Sequence, residues 1–336
     1  MAKKILFAAP NHFGIYKRVI KDLKCSGYEV TSVCIEDWPE KKILNKKKSF
    51  HKLRLLLDSN YKSSFLENLI AKESEIPNFL AEFPENYFDY CFFIRPDFFS
   101  KLSIEKCIKV SKYSIAYQWD GLDRYPNIID KIYYFDKFLV FDNLDYKKYK
   151  SKFDNIHLGS NFYFDNDDDI PRNEVVDVFY LGAFVKDRNE KMMRIYDCLS
   201  NSSLKIKIFL CQIPLIKDNV EKFSNDDIIF IDKIMDYSDT LSYTKSAKII
   251  LDLLIEEHSG LSFRFFEAMK YNVKVITTNS SVVNYDFYHP NNIFVFNDNY
   301  LDLKEFIELP YKILPVEITN KYKFINWFNS NLEKNT

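Results

Sequence analysis

Short apolar, β-rich runs alternate along this chain with stretches in which apolar residues return every three or four positions, the order of parallel βαβ units. Lys4–Ala9 (KILFAA) predicts a first strand. Phe13–Ser26 predicts a helix with Ile15, Val19, Ile20 and Leu23 on one face, stopping at Gly27. Further strands are expected at Glu29–Ile35, Tyr90–Arg95, Ser114–Trp119, Lys137–Phe141 and near His157, with helices at Leu66–Phe83 and Ser103–Lys112. The acidic stretch Asp165–Asn173 (DNDDDIPRN), broken by Pro171, reads as a linker. Beyond it the alternation starts afresh, with strands at Val175–Leu181, Leu204–Cys211, Ile228–Ile231, Lys248–Leu254 and Val273–Thr277. Helices are expected at Asn189–Leu199, Arg264–Lys270 and Thr319–Leu332. The pattern predicts an α/β protein of two Rossmann-like domains facing each other across a crevice. The first spans residues 1–165 and the second 174–318, with 319–336 a C-terminal helix free to pack back on the first.

Composition narrows the class. The chain has 336 residues, of which 47% are hydrophobic and 28% charged, enough for two cores and unlike a disordered tail. Forty-seven basic residues oppose 48 acidic ones, so the basic excess of a duplex-DNA binder is missing and no nucleic-acid partner is expected. The six cysteines (25, 34, 91, 107, 198, 211) show no CxxC spacing and read as reduced thiols rather than a zinc or disulfide framework. No apolar run reaches the roughly 18 residues of a membrane span, and Ile5–Pro10 is too short for a signal-peptide core. A cytoplasmic protein with at most peripheral membrane contact is expected. Lys41–Arg54 (KKILNKKKSFHKLR) has seven basic residues and no acid, which suits either anionic lipid head groups or a solvated loop.

Only six glycines occur, so their places carry information. Gly14, Gly182 and Gly260 follow strand-like runs, as does Gly121, and in open parallel sheets ligands sit at the carboxyl ends of strands. The most informative segment is Asp252–Asn279. There a strand leads through Glu256-Glu257-His258-Ser259-Gly260 into a helix with Ser262 at its N-cap. The free amides of that first turn suit a phosphate, Arg264 a bidentate contact to it, and Glu267 two ribose hydroxyls. The competing reading is an amphipathic helix with an Arg264–Glu267 surface pair.

Ser259–Asn279, with Glu267-Ala268-Met269 and Val273–Thr278, resembles the donor-site segment of GT-B glycosyltransferases. More narrowly, the chain resembles bacterial cell-surface polysaccharide glycosyltransferases of the capsule and lipopolysaccharide type. The matching pieces are Phe13-Gly14, Tyr117–Pro126 (YQWDGLDRYP), Phe179–Gly182 followed by Arg188, and Asn284–Tyr288. Two positions depart: Ser259 stands where many retaining members carry the first Glu of an E-x7-E pair, and Asn272 where a Gly is usual. The resemblance implies a nucleotide-sugar donor, a glycan or lipid-linked glycan acceptor, and no cofactor or obligatory metal.

On that resemblance, Arg188 and Arg264, with Lys186 as a third cation, stabilise the leaving phosphate. The Gly182 loop lets backbone approach the donor, and His258, Ser259, Gly260, Leu261 and Ser262 complete the donor side. Phe13, Gly14, Asp123 and Arg124 fall on the acceptor side. For the base, Asp120 is preferred and His12, after the first strand, is second; Asp123, Asp97 or no side-chain base remain open. The aspartates at 142 and 145 and at 165–169 superficially resemble metal ligands but lack a strand context, so no metal is expected. Two further readings stand beside the transferase: a non-catalytic glycan-binding or scaffold protein of the same fold, and a nucleotide-sugar epimerase.

Overall fold

The computed structural model describes residues 2–35, 75–184, 186–200, 202–211, 226–233, 235–254 and 259–332. The chain divides into two compact units, Met1–Gly159 and Ser160–Thr336.

The first unit is a parallel sheet of β1 (Lys4–Pro10), β2 (Glu29–Ile35), β3 (Tyr90–Ile94), β4 (Ser114–Gln118), β5 (Lys137–Val140) and β6 (Ile156–Leu158), in the order 2-1-3-4-5-6. Its inner strands are buried along nearly their whole length, which is why they read as unbroken apolar runs. The flanking helices are α1 (Ile15–Cys25), α2 (Lys101–Lys109) and α3 (Asn143–Tyr149). Helix α1 buries Ile15, Val19 and Leu23, three members of the predicted stripe. Phe13 (φ 52°) and Gly14 (φ 79°) are both left-handed, so the chain turns sharply from β1 into α1. Of the predicted helix Leu66–Phe83, residues 75–80 are helical; residues 66–74 lie outside the described residues, as does Lys41–Arg54.

The second unit repeats the plan with β7 (Val176–Ala183), β8 (Ile206–Cys211), β9 (Ile228–Ile231), β10 (Ala247–Asp252), β11 (Lys274–Thr277) and β12 (Ile293–Val295). Their order, 12-11-10-7-8-9, is the doubly wound arrangement with its switch point between β7 and β10. The helices are α4 (Lys186–Ser200), α5 (Tyr237–Ser246), α6 (Phe263–Tyr271), α7 (Tyr300–Glu308), α8 (Val316–Lys321) and α9 (Phe324–Leu332). Helix α6 closes on Asn272 at φ 56°, a backbone that favours Gly and next Asn, so the Asn in the usual Gly slot keeps the turn.

Two expectations about the joints of the chain change. The acidic run Asp165–Asn173 belongs to the second unit. Its Asp167 is buried, 2.7 Å from the Lys270 ammonium and bonded by the Tyr271 hydroxyl at 2.5 Å. The tail is two helices, because the backbone at Tyr322–Phe324 pairs with Tyr163 (Tyr163 N–H to Tyr322 carbonyl 2.9 Å, Phe324 N–H to Tyr163 carbonyl 2.8 Å). The aromatic partners of α9, Phe162 and Phe164 against Phe324 and Phe162 against Trp327, also belong to the second unit.

Candidate functional site

At the carboxyl edge of the second sheet, the switch point brings the end of β7 beside the end of β10. Asp252, the last residue of β10, is buried and accepts hydrogen bonds from Ser262 Oγ (2.6 Å) and Thr277 Oγ1 (3.1 Å). Ser262 sits at the N-cap of α6, as the sequence predicts, yet its hydroxyl serves Asp252 and makes no cap hydrogen bond to the first turn. Ahead of it, Ser259–Leu261 is pinned by side chains. Asn279 donates to the Ser259 carbonyl (3.1 Å), Ser281 to the same carbonyl (2.7 Å), and Asn161 to the Leu261 carbonyl (2.8 Å).

Arg264, in the first turn of α6, turns toward β7. It donates to the Leu181 carbonyl, lies 3.7 Å from Asp252, and places its guanidinium carbon 5.7 Å from the centre of the Tyr180 ring. Arg188, in the first turn of α4, approaches the Tyr180 hydroxyl, and its buried Nε has no hydrogen-bond partner among the described residues. Burial pushes the Tyr180 hydroxyl up from its ordinary value, while Arg188 and Arg264 pull it back. The structure thus gathers Gly182, Arg188 and Arg264 around Tyr180, a residue the sequence did not single out. What marks Tyr180 in the sequence is its place two positions before Gly182 on a strand leading into a charged turn.

Two expected donor residues are placed differently. Gly182 lies inside β7 rather than in a loop. A Cβ there would come within 2.2 Å of the Tyr180 hydroxyl oxygen, so the glycine makes room for that ring. Glu267 is 3% exposed and accepts a 2.7 Å hydrogen bond from the Tyr237 hydroxyl of α5. Burial raises its carboxyl above the ordinary value against the pull of Tyr237 and Arg264. It is an interior acid rather than one open to ribose hydroxyls in this conformation. His258 lies outside the described residues, and so does the side chain of Lys186.

The first unit has its own carboxyl-edge cluster. Arg95 leaves β3 in the left-handed region (φ 55°), 2% exposed, with Nε and Nη2 each 2.7 Å from an oxygen of Asp97. Its Nη1 pairs with Asp120, and its guanidinium carbon lies 4.3 Å from the Tyr125 ring centre and 4.8 Å from that of Phe98. Asp120 is also 3.7 Å from Arg124, so both its oxygens face guanidinium groups. Asp123 is further out, held by Lys148 (2.6 Å) and Tyr149 (2.9 Å), which together keep its carboxyl below the ordinary value. His12, after β1, packs its ring 4.0 Å from Phe13 and 5.8 Å from Trp119, the residue preceding Asp120. Gln118, at the end of β4, is fully buried with neither amide atom hydrogen-bonded among the described residues. It lies in the stretch Tyr117–Pro126 but carried no chemical signature of its own.

Among the described residues no group of three or more His, Cys, Asp or Glu side chains has the arrangement of a metal site, and no helix is long and apolar enough to cross a membrane. All six cysteines are free thiols.

No protein-family model matches the chain, and no curated protein matches it in sequence. Solved structures do. The UDP-GlcNAc 2-epimerase of Methanocaldococcus jannaschii, determined with UDP-GlcNAc and UDP, is 15% identical with a TM-score of 0.54, covering 98% of this chain and 99% of that one. The lipopolysaccharide outer core galactosyltransferase WaaB is 17% identical with a TM-score of 0.53, over 98% and 99% of the two chains. An alpha-glucosyltransferase in complex with UDP is 12% identical with a TM-score of 0.56, over 99% and 100%. At these identities the likeness is one of fold: the chain has the two Rossmann-like domains of the GT-B fold, in common with glycosyltransferases and a UDP-GlcNAc 2-epimerase.

Proposed function

We propose that this protein is a glycosyltransferase that moves a sugar from a nucleotide-sugar donor to a growing cell-surface glycan (capsule, O-antigen or lipooligosaccharide). The observation that carries the reading is the convergence of Arg188 and Arg264 on Tyr180 at the β7–β10 switch point, with Arg264 in the first turn of α6. Two guanidinium groups at the start of a helix are what a departing nucleoside diphosphate needs as negative charge develops on it. On this reading the second unit holds the donor and the first the acceptor. His12 takes the acceptor proton, since Asp120 is committed to Arg95 and Arg124 and serves to fix the loop after β4. Cationic side chains and amides replace a divalent ion at the leaving phosphate, so chelation with EDTA leaves transfer intact. The protein works at the cytoplasmic face of the membrane, and Lys41–Arg54 meets anionic lipid there.

The test is a thermal-shift panel of UDP, GDP and dTDP, their sugars and the bare nucleosides, followed by transfer assays on a glycan-acceptor extract with and without EDTA. Stabilisation by a diphosphate but not by its nucleoside, and sugar transfer to acceptor, are expected. Donor turnover without acceptor would assign the epimerase reading instead. No nucleotide response would leave the scaffold reading, and magnesium-dependent rescue after EDTA would refute the metal-independent step.

A further inference from the structure

The Tyr180 ring and Gly182 explain one another. They are two residues apart on β7 and so share a face of the sheet. The ring lies across the glycine: a Cβ on residue 182 would fall 2.2 Å from the Tyr180 oxygen, 2.6 Å from Cζ and 2.9 Å from Cε1. No side chain fits there unless the ring leaves. Gly182 lies in ordinary extended strand and has no positive φ to explain it. The ring is 1% exposed, beneath both cations of the candidate phosphate site. The Arg264 guanidinium carbon lies over it, 5.7 Å from the ring centre, and Arg188 is near enough to pull its hydroxyl back from the value burial gives it. Two guanidinium groups brought to one place repel each other. The aromatic ring gives Arg264 a neutral surface to lie over, and its hydroxyl oxygen is a neutral acceptor within reach of Arg188.

We propose that Tyr180 is a positioning residue: it aims Arg188 and Arg264 together at one nucleoside diphosphate, and residue 182 is glycine to seat that ring, not to admit a ligand to the backbone. The inference rests on the nucleotide reading above and adds a residue that would not itself touch the reacting atoms.

The test measures affinities for UDP, GDP and dTDP, and for the corresponding nucleosides, by titration calorimetry on the full chain. The variants are Tyr180→Phe, Tyr180→Leu, Gly182→Ala and Tyr180→Leu/Gly182→Ala, each checked by circular dichroism and melting. Diphosphate affinity is expected to fall about tenfold in Tyr180→Phe and more in Tyr180→Leu and Gly182→Ala, while nucleoside affinity stays within twofold. A defect in folding alone would weaken both ligands together. Adding Gly182→Ala to Tyr180→Leu is expected to cause no further loss, because the methyl then has the space the ring vacated. If Gly182→Ala is just as damaging in the Tyr180→Leu background, the glycine serves the ligand and the proposal falls. Unchanged diphosphate binding in Tyr180→Phe and Tyr180→Leu overturns it as well, with the nucleotide reading intact. A wild-type protein that binds none of the three diphosphates overturns both. If Gly182→Ala does not fold, the two Tyr180 variants decide.

Discussion

Replacing Arg264 with Ala separates a phosphate-binding residue from a helix-surface residue. The side chain is 30% exposed, donates to the Leu181 carbonyl and lies 3.7 Å from the buried Asp252. Losing a charged hydrogen bond costs about 1.5–3 kcal/mol, and partial exposure lowers that here to about 1–2 kcal/mol. For a unit of this size that is roughly 2–8 °C in melting temperature. A plain surface arginine would cost no more than about 0.5 kcal/mol. The ligand effect is larger. Wild-type protein in a hundredfold excess of UDP over its Kd gains about 2.7 kcal/mol. If Arg264→Ala weakens UDP about a hundredfold, the same concentration yields only about 0.4 kcal/mol, so a shift of roughly 5–11 °C shrinks to about 1 °C. Turnover is expected to drop about a hundredfold. Arg264→Lys should recover part of the affinity but not all, since an ammonium lacks the planar fork. A variant that melts lower yet keeps the full UDP-induced shift and wild-type turnover would refute the assignment and leave Arg264 a strut between α6 and β7.

Three other perturbations have signed outcomes. Burial raises the Glu267 carboxyl, so the folded state holds that proton more tightly than the unfolded chain, and stability from this group falls as pH rises from the ordinary value of 4.5 through the folded value. Glu267→Gln should therefore be at least as stable as wild type in urea at pH 8 and lose that advantage near pH 4. Asp145, which accepts the Leu122 N–H at 2.9 Å, is pushed up to about 6 chiefly by burial, so its destabilising contribution develops between pH 3.8 and 6. Asp145→Asn should gain stability above pH 6 and match wild type at pH 3.5; a pH-independent difference would contradict the burial argument. Arg95→Leu, which strands the buried Asp97 carboxylate, should cost about 3–5 kcal/mol in chemical denaturation, and a cost under about 1 kcal/mol would show the cluster to be dispensable.

The strands were legible because buried parallel strands are written as continuous apolar runs, as in Lys4–Pro10 and Ile206–Cys211. The switch-point cations were legible too, since Arg188 and Arg264 each follow a strand by a short interval. What escaped the sequence was set by partners far away along it. Asp167 looks solvated in DNDDD, yet Lys245, Lys270 and Tyr271 draw it inside. Glu267 has the spacing of a ribose ligand, but Tyr237 reaches it first. The helical period continues through Tyr322–Phe324, and only backbone pairing with Tyr163 interrupts it. Glycine 182 was conspicuous for the right reason of scarcity, while the ring that requires it becomes visible only in three dimensions.

The pairing of Tyr163 with the tail also fixes where the second half of the chain can be excised. A fragment of 174–318 would remove Tyr163 with Lys323, and would strip Phe162 and Phe164 together with Phe324 and Trp327, aromatic rings that bury one another. It would also lose two of Lys270's anchors, the Phe164 carbonyl at 2.6 Å and the Asp167 carboxylate at 2.7 Å, on the helix that carries Arg264. A fragment of 160–332 keeps every one of these contacts, and with them the footing of α6. The two ends of the second unit are thus clasped to each other, so a cut at either end loosens the helix that carries Arg264 from behind without touching it.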